Sequence, residues 1–249
     1  MEYEVIKHGI DTVRATLVDL AANAVLDEAS RTITYKQHKV ALFYFRDGYE
    51  PDHYPTDQCW ELREKIERST AVSVPTVSMQ LVNFKRVQQQ LSEEFLQSYL
   101  SKEESRLLTD CMAKMWNFED ESTREKLITM TESGRIVLKP NREGGGHNTY
   151  GKDVAVKLRS LPSDTLTEYV LMERIYPQPT CNLLIKNQKL YREPCVISEI
   201  SIYSTVLYTN KEHKSNRIGG WLVRTKPISC DEGGVATGFS VLNSLRVCY

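Results

Sequence analysis

The stretch Lys139-Pro140-Asn141-Arg142-Glu143-Gly144-Gly145-Gly146-His147-Asn148-Thr149-Tyr150-Gly151 decides how this chain reads. The apolar, β-branched run from Arg135 to Leu138 before it predicts a strand, and the pattern from Asp153 to Leu161 after it predicts a helix. Three consecutive glycines after a strand suit close approach to a phosphate chain. Without a Cβ the backbone can come near and take positive φ, and successive amide N–H groups can line a nest for anions. Lys139 adds a cation and Glu143 a carboxylate of the kind that binds magnesium. The stretch is not the phosphate-loop signature, which needs Gly-Lys followed by Ser or Thr, and it lacks the dinucleotide glycine pattern. By glycine content alone a flexible surface turn fits as well.

Outward from that stretch the pattern is α/β. Val40 to Phe45 form a continuous apolar run, which predicts a buried strand ended by the turn signal Arg46-Asp47-Gly48. Positions after a strand's carboxyl end are where open α/β sheets place ligands. Residues 9–20 suit a strand and then a short helix, and Arg31 to Tyr35 alternates as a strand does. Trp60 to Arg68 predicts a helix with Leu62 and Ile66 on one face and its charges in solvent. Phe84, Val87, Leu91 and Phe95 fall at helical spacing, and a second amphipathic stretch runs from Glu103 to Trp116. Its Leu107, Leu108, Met112, Met115 and Trp116 read as core. Beyond Arg135 the predicted strands are 136–139, 169–175, 182–186, 195–203 and 221–225, with Pro177-Gln178-Pro179 breaking the chain between two of them.

Composition excludes several function classes. With 249 residues, 41% hydrophobic and 26% charged, the chain suits one or two soluble domains. A formal charge of −1 leaves no footprint for nucleic acid or an anionic membrane. No apolar run approaches the ~20 residues that span a bilayer, and the mixed charges of residues 1–20 do not suit a secretory signal. Six cysteines with no close pair in sequence predict free thiols in a reducing, cytoplasmic setting.

Lys-Pro-x-Arg-Glu-Gly-Gly-Gly-x-Asn-x-Tyr-Gly resembles the glycine-rich loop of eukaryotic-type glutathione synthetase, a member of the ATP-grasp superfamily. Three further blocks resemble the family in its order. Tyr44-Phe45-Arg46-Asp47-Gly48-Tyr49 is similar to its substrate loop, and Tyr169 to Ile175 to its adenine-contacting strand. Arg224-Thr225-Lys226 with Gly233-Gly234-Val235-Ala236-Thr237-Gly238 is similar to its alanine-rich second lid loop. The resemblance implies an ATP-grasp region over residues 83–249, preceded at 1–82 by part of a parallel-sheet substrate-binding subdomain.

The activity implied is ligation. ATP phosphorylates the cysteinyl carboxylate of γ-glutamylcysteine, and the amine of glycine attacks the acyl phosphate to give glutathione, with Mg2+ as cofactor. By resemblance, Lys85, Lys139 and Lys226 contact the ATP phosphates, Glu143 binds magnesium, and Gly144, Gly145, Gly146, Asn148 and Tyr150 cover the phosphates. Met172, Glu173, Arg174 and Ile175 form the adenine hinge, and Glu199 and Glu232 stand near the nucleotide. Glu232 replaces a usual Asp, and His147 a usual amide side chain, as a tolerated change. Arg224 holds the peptide carboxylate at the reacting end, while Arg46, Tyr49, Val235 and Ala236 line the peptide.

The resemblance spans nearly the whole chain but only about the second half of the family's protein. The missing part supplies two further magnesium ligands and several peptide contacts, and Leu242 to Tyr249 depart from the family ending. A sheet deprived of its first strand is expected to expose an edge and apolar surface. A homodimer when complete is the oligomer implied. The alternative is a truncated, non-catalytic nucleotide-binding or interaction module.

Overall fold

A computed structural model describes residues 2–131, 133–141, 147–209 and 212–244. The chain divides into two compact units, Met1–Leu91 and Ser92–Tyr249.

The first unit contains α1 (Glu2–Lys7), α2 (Leu17–Asn23), β1 (Val25–Leu26), β2 (Ile33–Tyr35), β3 (His38–Lys39), β4 (Leu42–Tyr44), α3 (Asp57–Arg68), β5 (Val72–Val74), α4 (Val77–Val82) and α5 (Lys85–Gln88). Strands β1, β2 and β3 form an antiparallel meander, while β4 and β5 pair in parallel with Phe43 opposite Ser73. Ile33, Phe43, Phe45, Leu62 and Ile66 meet in one core under α2. The strand around Phe43 is not buried on both sides as the apolar run predicts. Phe43 and Phe45 point into the core while Leu42 and Tyr44 face solvent, because β4 has one pairing partner and α3 covers one face.

On α3, Leu62 and Ile66 are buried as their spacing predicts. Arg63 departs from the expected solvated face. It is 5% exposed, lies over the Phe45 ring at 3.9 Å and donates to the Pro75 carbonyl at 3.0 Å. An arginine stem packs like an aliphatic one, and its planar head stacks on an aromatic ring.

Residues 9–16 form no strand. Instead Thr16 caps α2, its hydroxyl accepting the Asp19 N–H at 3.1 Å. The Asp19 carboxylate also accepts from the Tyr35 hydroxyl and pairs with Lys36 at 3.2 Å. The Tyr35 bond foremost, then Lys36, holds its pKa below the ordinary carboxylate value. A depressed carboxylate stabilises the fold above its unfolded pKa, and that stability is lost as pH falls through the folded pKa. Wild type is therefore expected to lose more stability below about pH 4 than Asp19→Asn does. Thermal melts from pH 6 to pH 2.5 would measure it, and parallel curves would refute the coupling.

The second unit contains α6 (Glu93–Leu96), α7 (Lys102–Asp110), β6 (Met115–Trp116), α8 (Glu121–Thr131), β7 (Ile136–Pro140), β8 (Thr149–Tyr150), α9 (Lys152–Ser160), β9 (Tyr169–Glu173), β10 (Thr180–Lys186), β11 (Lys189–Thr209), β12 (Glu212–Pro227) and β13 (Val241–Asn243). The helical spacing from Phe84 to Phe95 is divided between α5 and α6. Ser92 starts the new helix as its cap, accepting the Phe95 N–H at 3.1 Å. The amphipathic stretch from Glu103 is cut as well. α7 ends at Asp110, and Met115 and Trp116 turn into a strand opposite Met172 and Leu171. Leu107 is 67% exposed rather than core, since Ser105 is the side of α7 that is buried.

Two four-stranded antiparallel sheets carry this unit, in the orders β6-β9-β7-β8 and β10-β11-β12-β13. Phe118, Leu127 and Ile128 of the α8 region, Ile136 and Leu138 of β7, Val154 and Leu158 of α9, and Leu171 of β9 form its core against the first sheet. Each such side chain contributes roughly 1.5–3 kcal/mol by leaving water. In the second sheet the β11–β12 ribbon extends beyond its buried base of Val196, Val223 and Thr225. Register pairs Ile202 with Trp221 and Ser204 with Ile218, so one face carries the exposed Ile200, Ile202, Ile218 and Trp221. Among the described residues no helix is long and apolar enough to cross a membrane.

Candidate functional site

The glycine-rich segment leaves β7 at Pro140 and re-enters the described chain at His147, beside β8. Glu143, Gly144, Gly145 and Gly146 lie outside the described residues. Lys139 sits near the end of β7, half-buried, opposite Val170 of β9. The central position of β7 sets Tyr150 and Met172 on either side of Val137. Lys139, Tyr150 and Met172 thus stand on three adjacent strands of one sheet, placed by strand register, with Arg174 and Ile175 following the end of β9.

The roots of the two loops meet there. Asn148 Nδ2 donates to the Tyr150 hydroxyl and to Glu232 Oε2, both at 3.2 Å. The Tyr150 hydroxyl donates to the Asp231 carbonyl at 3.4 Å. Lys226 Nζ donates to the carbonyls of Asp231 and Glu232 at 2.7 and 3.0 Å. Arg174 pairs with the Asp231 carboxylate at 2.5 Å and lies over the rings of Tyr150 and Tyr176. Burial, and after it the Glu232 carboxylate, pushes the Tyr150 phenol above its ordinary value, so at neutral pH it stays protonated and donates.

Asp231 lies at the centre of this network, and sequence reasoning passed over it. The only signal was an acidic pair, Asp231-Glu232, directly before Gly233-Gly234. Strand β12 places Arg224 opposite Glu199 and Lys226 opposite Ile197, so both cations share one face. Arg224 Nη2 donates to Glu199, and its Nε is buried with no hydrogen-bond partner among the described residues. At the hinge, the N–H groups of Glu173 and Arg174 bond the carbonyls of Lys114 and Arg135 at 2.7 and 2.8 Å. The Glu173 carboxylate accepts the Lys114 N–H at 3.3 Å, and Ile175 is exposed. Val235 and Ala236 are exposed on the second loop, whose Gly234 and Gly238 both take positive φ.

Arg46, Tyr49 and Lys85 belong to the first unit. The loop after β4 is tightly held: His53 Nδ1 accepts the N–H groups of Gly48 and Tyr49, both at 3.1 Å. Gln80 Nε2 donates to the Gly48 carbonyl at 2.9 Å, and the Tyr54 hydroxyl to the same oxygen at 3.0 Å. Gly48 has φ +87°, and a Cβ there would meet the Tyr54 hydroxyl at 2.9 Å. Gly48→Ala is therefore expected to destabilise the first unit by about 1–3 kcal/mol through backbone strain and a displaced Tyr54. A urea midpoint unchanged within error would contradict this.

The architecture and the paired loop roots define an α/β protein of the ATP-grasp fold. A glutathione synthetase-like effector from Globodera pallida, solved in apo form, matches 98% of this chain and 52% of its own at 20% identity, with a TM-score of 0.68. A family model described as eukaryotic glutathione synthase, ATP binding domain, matches residues 11–247, and the chain belongs to that family. The chloroplastic glutathione synthetase of Arabidopsis thaliana is 36% identical over 244 residues, covering 96% of this chain and 44% of the relative. Human glutathione synthetase is 34% identical over 250 residues, covering 98% and 52%. The chain spans about half the length of the curated relatives it matches.

Proposed function

We propose that this chain carries the ATP site of a glutathione synthetase, which joins γ-glutamylcysteine and glycine through an acyl phosphate. The observation that carries this reading is the junction of Asn148, Tyr150, Arg174 and Lys226 on Asp231 and Glu232. Two glycine-bearing loops rooted against each other can close over a nucleotide and exclude water, which would otherwise hydrolyse an acyl phosphate. Lys139 and Lys226 would contact the ATP phosphates, since phosphoryl transfer is mostly positioning and charge stabilisation. Arg224, whose Nε has no hydrogen-bond partner among the described residues, suits a role in holding the peptide carboxylate. Glu199 would set the orientation of that arginine.

Bound magnesium would supply positive charge to the transferring phosphoryl group. Among the described residues no group of three or more His, Cys, Asp and Glu could hold a metal. The assignment therefore rests on Glu143 and on substrate phosphates, the usual way magnesium is held. We assign residues 1–82 to the substrate-binding subdomain and 83–249 to the ATP-grasp region, with Arg46 and Tyr49 facing the peptide. Homodimeric assembly and a cytoplasmic location complete the proposal. A second reading, a nucleotide-binding or interaction module without turnover, is favoured by the exposed apolar face of the β11–β12 ribbon.

Calorimetric titration with magnesium and a non-hydrolysable ATP analogue tests the site. Saturable binding is expected, weakened at least about tenfold in Lys139→Ala, because one charge-assisted contact is worth roughly 1.5–3 kcal/mol. A folded chain that does not bind refutes the assignment. Binding without glutathione formation from γ-glutamylcysteine and glycine supports the second reading.

A further inference from the structure

The six cysteines are scattered in sequence, yet the fold sets two of them together. Strand β10 pairs with β11 through Thr180↔Val196 and Asn182↔Glu193, a register shift that leaves Cys181 opposite the two-residue bulge Pro194-Cys195. Cys181 Sγ reaches across and donates to the Pro194 carbonyl at 2.8 Å, the carbonyl bonded directly to the Cys195 nitrogen. The Cys195 carbonyl accepts the Ile228 N–H at 3.1 Å. Cys195 thus turns its carbonyl to β12, while Cys181 stands across from the bulge, its Sγ within hydrogen-bond reach of the peptide group that joins Pro194 to Cys195. A disulfide needs Cα atoms within about 4.4–6.8 Å, a range that covers facing positions of neighbouring antiparallel strands. Both thiols are free and exposed.

We infer that Cys181 and Cys195 are a reversible thiol–disulfide pair, closed by a low-molecular-weight disulfide such as glutathione disulfide. One cysteine, as thiolate, attacks a sulfur of that disulfide and expels one glutathione thiolate. The second then attacks the protein-bound sulfur and expels the other. Two protein thiols lose two electrons and two protons, and the small disulfide gains them as two thiols. A disulfide on an exposed surface is of the labile, exchangeable type.

The pair is placed to affect the second loop. The β10–β11 hairpin holds both ends of residues 228–238: Cys195 through the Ile228 N–H, and Lys186 Nζ through the Gly238 carbonyl at 2.6 Å. Closure staples the open end of that hairpin and stiffens both anchors. The cross-link stands independently of the proposed ligase reading; only the naming of 228–238 as a lid rests on it.

The test incubates the native 249-residue chain in glutathione buffers of increasing oxidised fraction, followed by acid quench, alkylation and peptide mass spectrometry. A Cys181–Cys195 linked peptide pair is expected, with both residues lost from alkylation together and recovered on reduction. Cys181→Ser and Cys195→Ser are expected to leave the remaining cysteine as a mixed disulfide with glutathione, and Cys230→Ser to change nothing. Mixed disulfides on both cysteines of the wild type without a link, or linkage through Cys230, would overturn the pair. Hydrogen exchange across 228–238 is expected to slow several-fold in the oxidised wild type and in neither single variant. A linked protein with unchanged exchange there would overturn the coupling to the loop, whether or not nucleotide binds.

Discussion

Replacing Lys226 with methionine is expected to weaken binding of an ATP analogue by roughly 10–100-fold and to loosen the second loop at once. The ammonium makes two hydrogen bonds to the carbonyls of Asp231 and Glu232. Bonds from a charged donor are worth about 1.5–3 kcal/mol each, less where solvent reaches them. Methionine retains the stem's bulk and leaves both carbonyls without that donor. Calorimetry would read the affinity, and limited proteolysis across 231–238 would read the loop. The conservative change Lys226→Arg should retain part of both, since a guanidinium fork also donates. Unchanged proteolysis in Lys226→Met would show that the loop is held elsewhere, and unchanged affinity would remove Lys226 from the nucleotide site.

Phe118→Ala is expected to cost the second unit about 3–5 kcal/mol, a large part of the ~5–15 kcal/mol that holds an ordinary domain folded. Phe118 lies in the connection between β6 and α8, yet it is 1% exposed and belongs to the core with Leu127, Ile136, Leu138 and Leu171. Its ring fills space between a sheet and two helices that cannot collapse independently, so truncation leaves a cavity. Urea unfolding followed by circular dichroism measures the loss. A shift below about 1 kcal/mol would mean the cluster repacks freely. Leu107→Ala, at an exposed position of α7, is the control and should stay within about 0.5 kcal/mol.

Much of the local structure was legible along the chain. The apolar run Ile136-Val137-Leu138, led by two β-branched residues, predicted β7, and Leu62 with Ile66 at helical spacing predicted the buried face of α3. Where the pattern misled, competing local chemistry explains it. Ser92 offers a helix start inside a run of helical spacing, and Met115 and Trp116 are drawn into a strand by pairing with β9. Arg63 reads as a surface charge because its stacking partner, Phe45, is remote in sequence.

By itself the sequence determined the family and the α/β class, and it nominated most residues of the proposed ATP site, because these depend on residue types and short-range spacing. Glycines permit a backbone path wherever they stand, and a lysine carries its charge in any fold. Only the tertiary structure decided how those residues work together. Asp231 meets Arg174 from 57 residues away and Glu232 meets Asn148 from 84 away. A bulge that shifts the register by one residue sets Cys181 across from Pro194 and Cys195. Such meetings are decided by strand order and register, which depend on the burial of whole faces and leave no mark at the paired positions themselves.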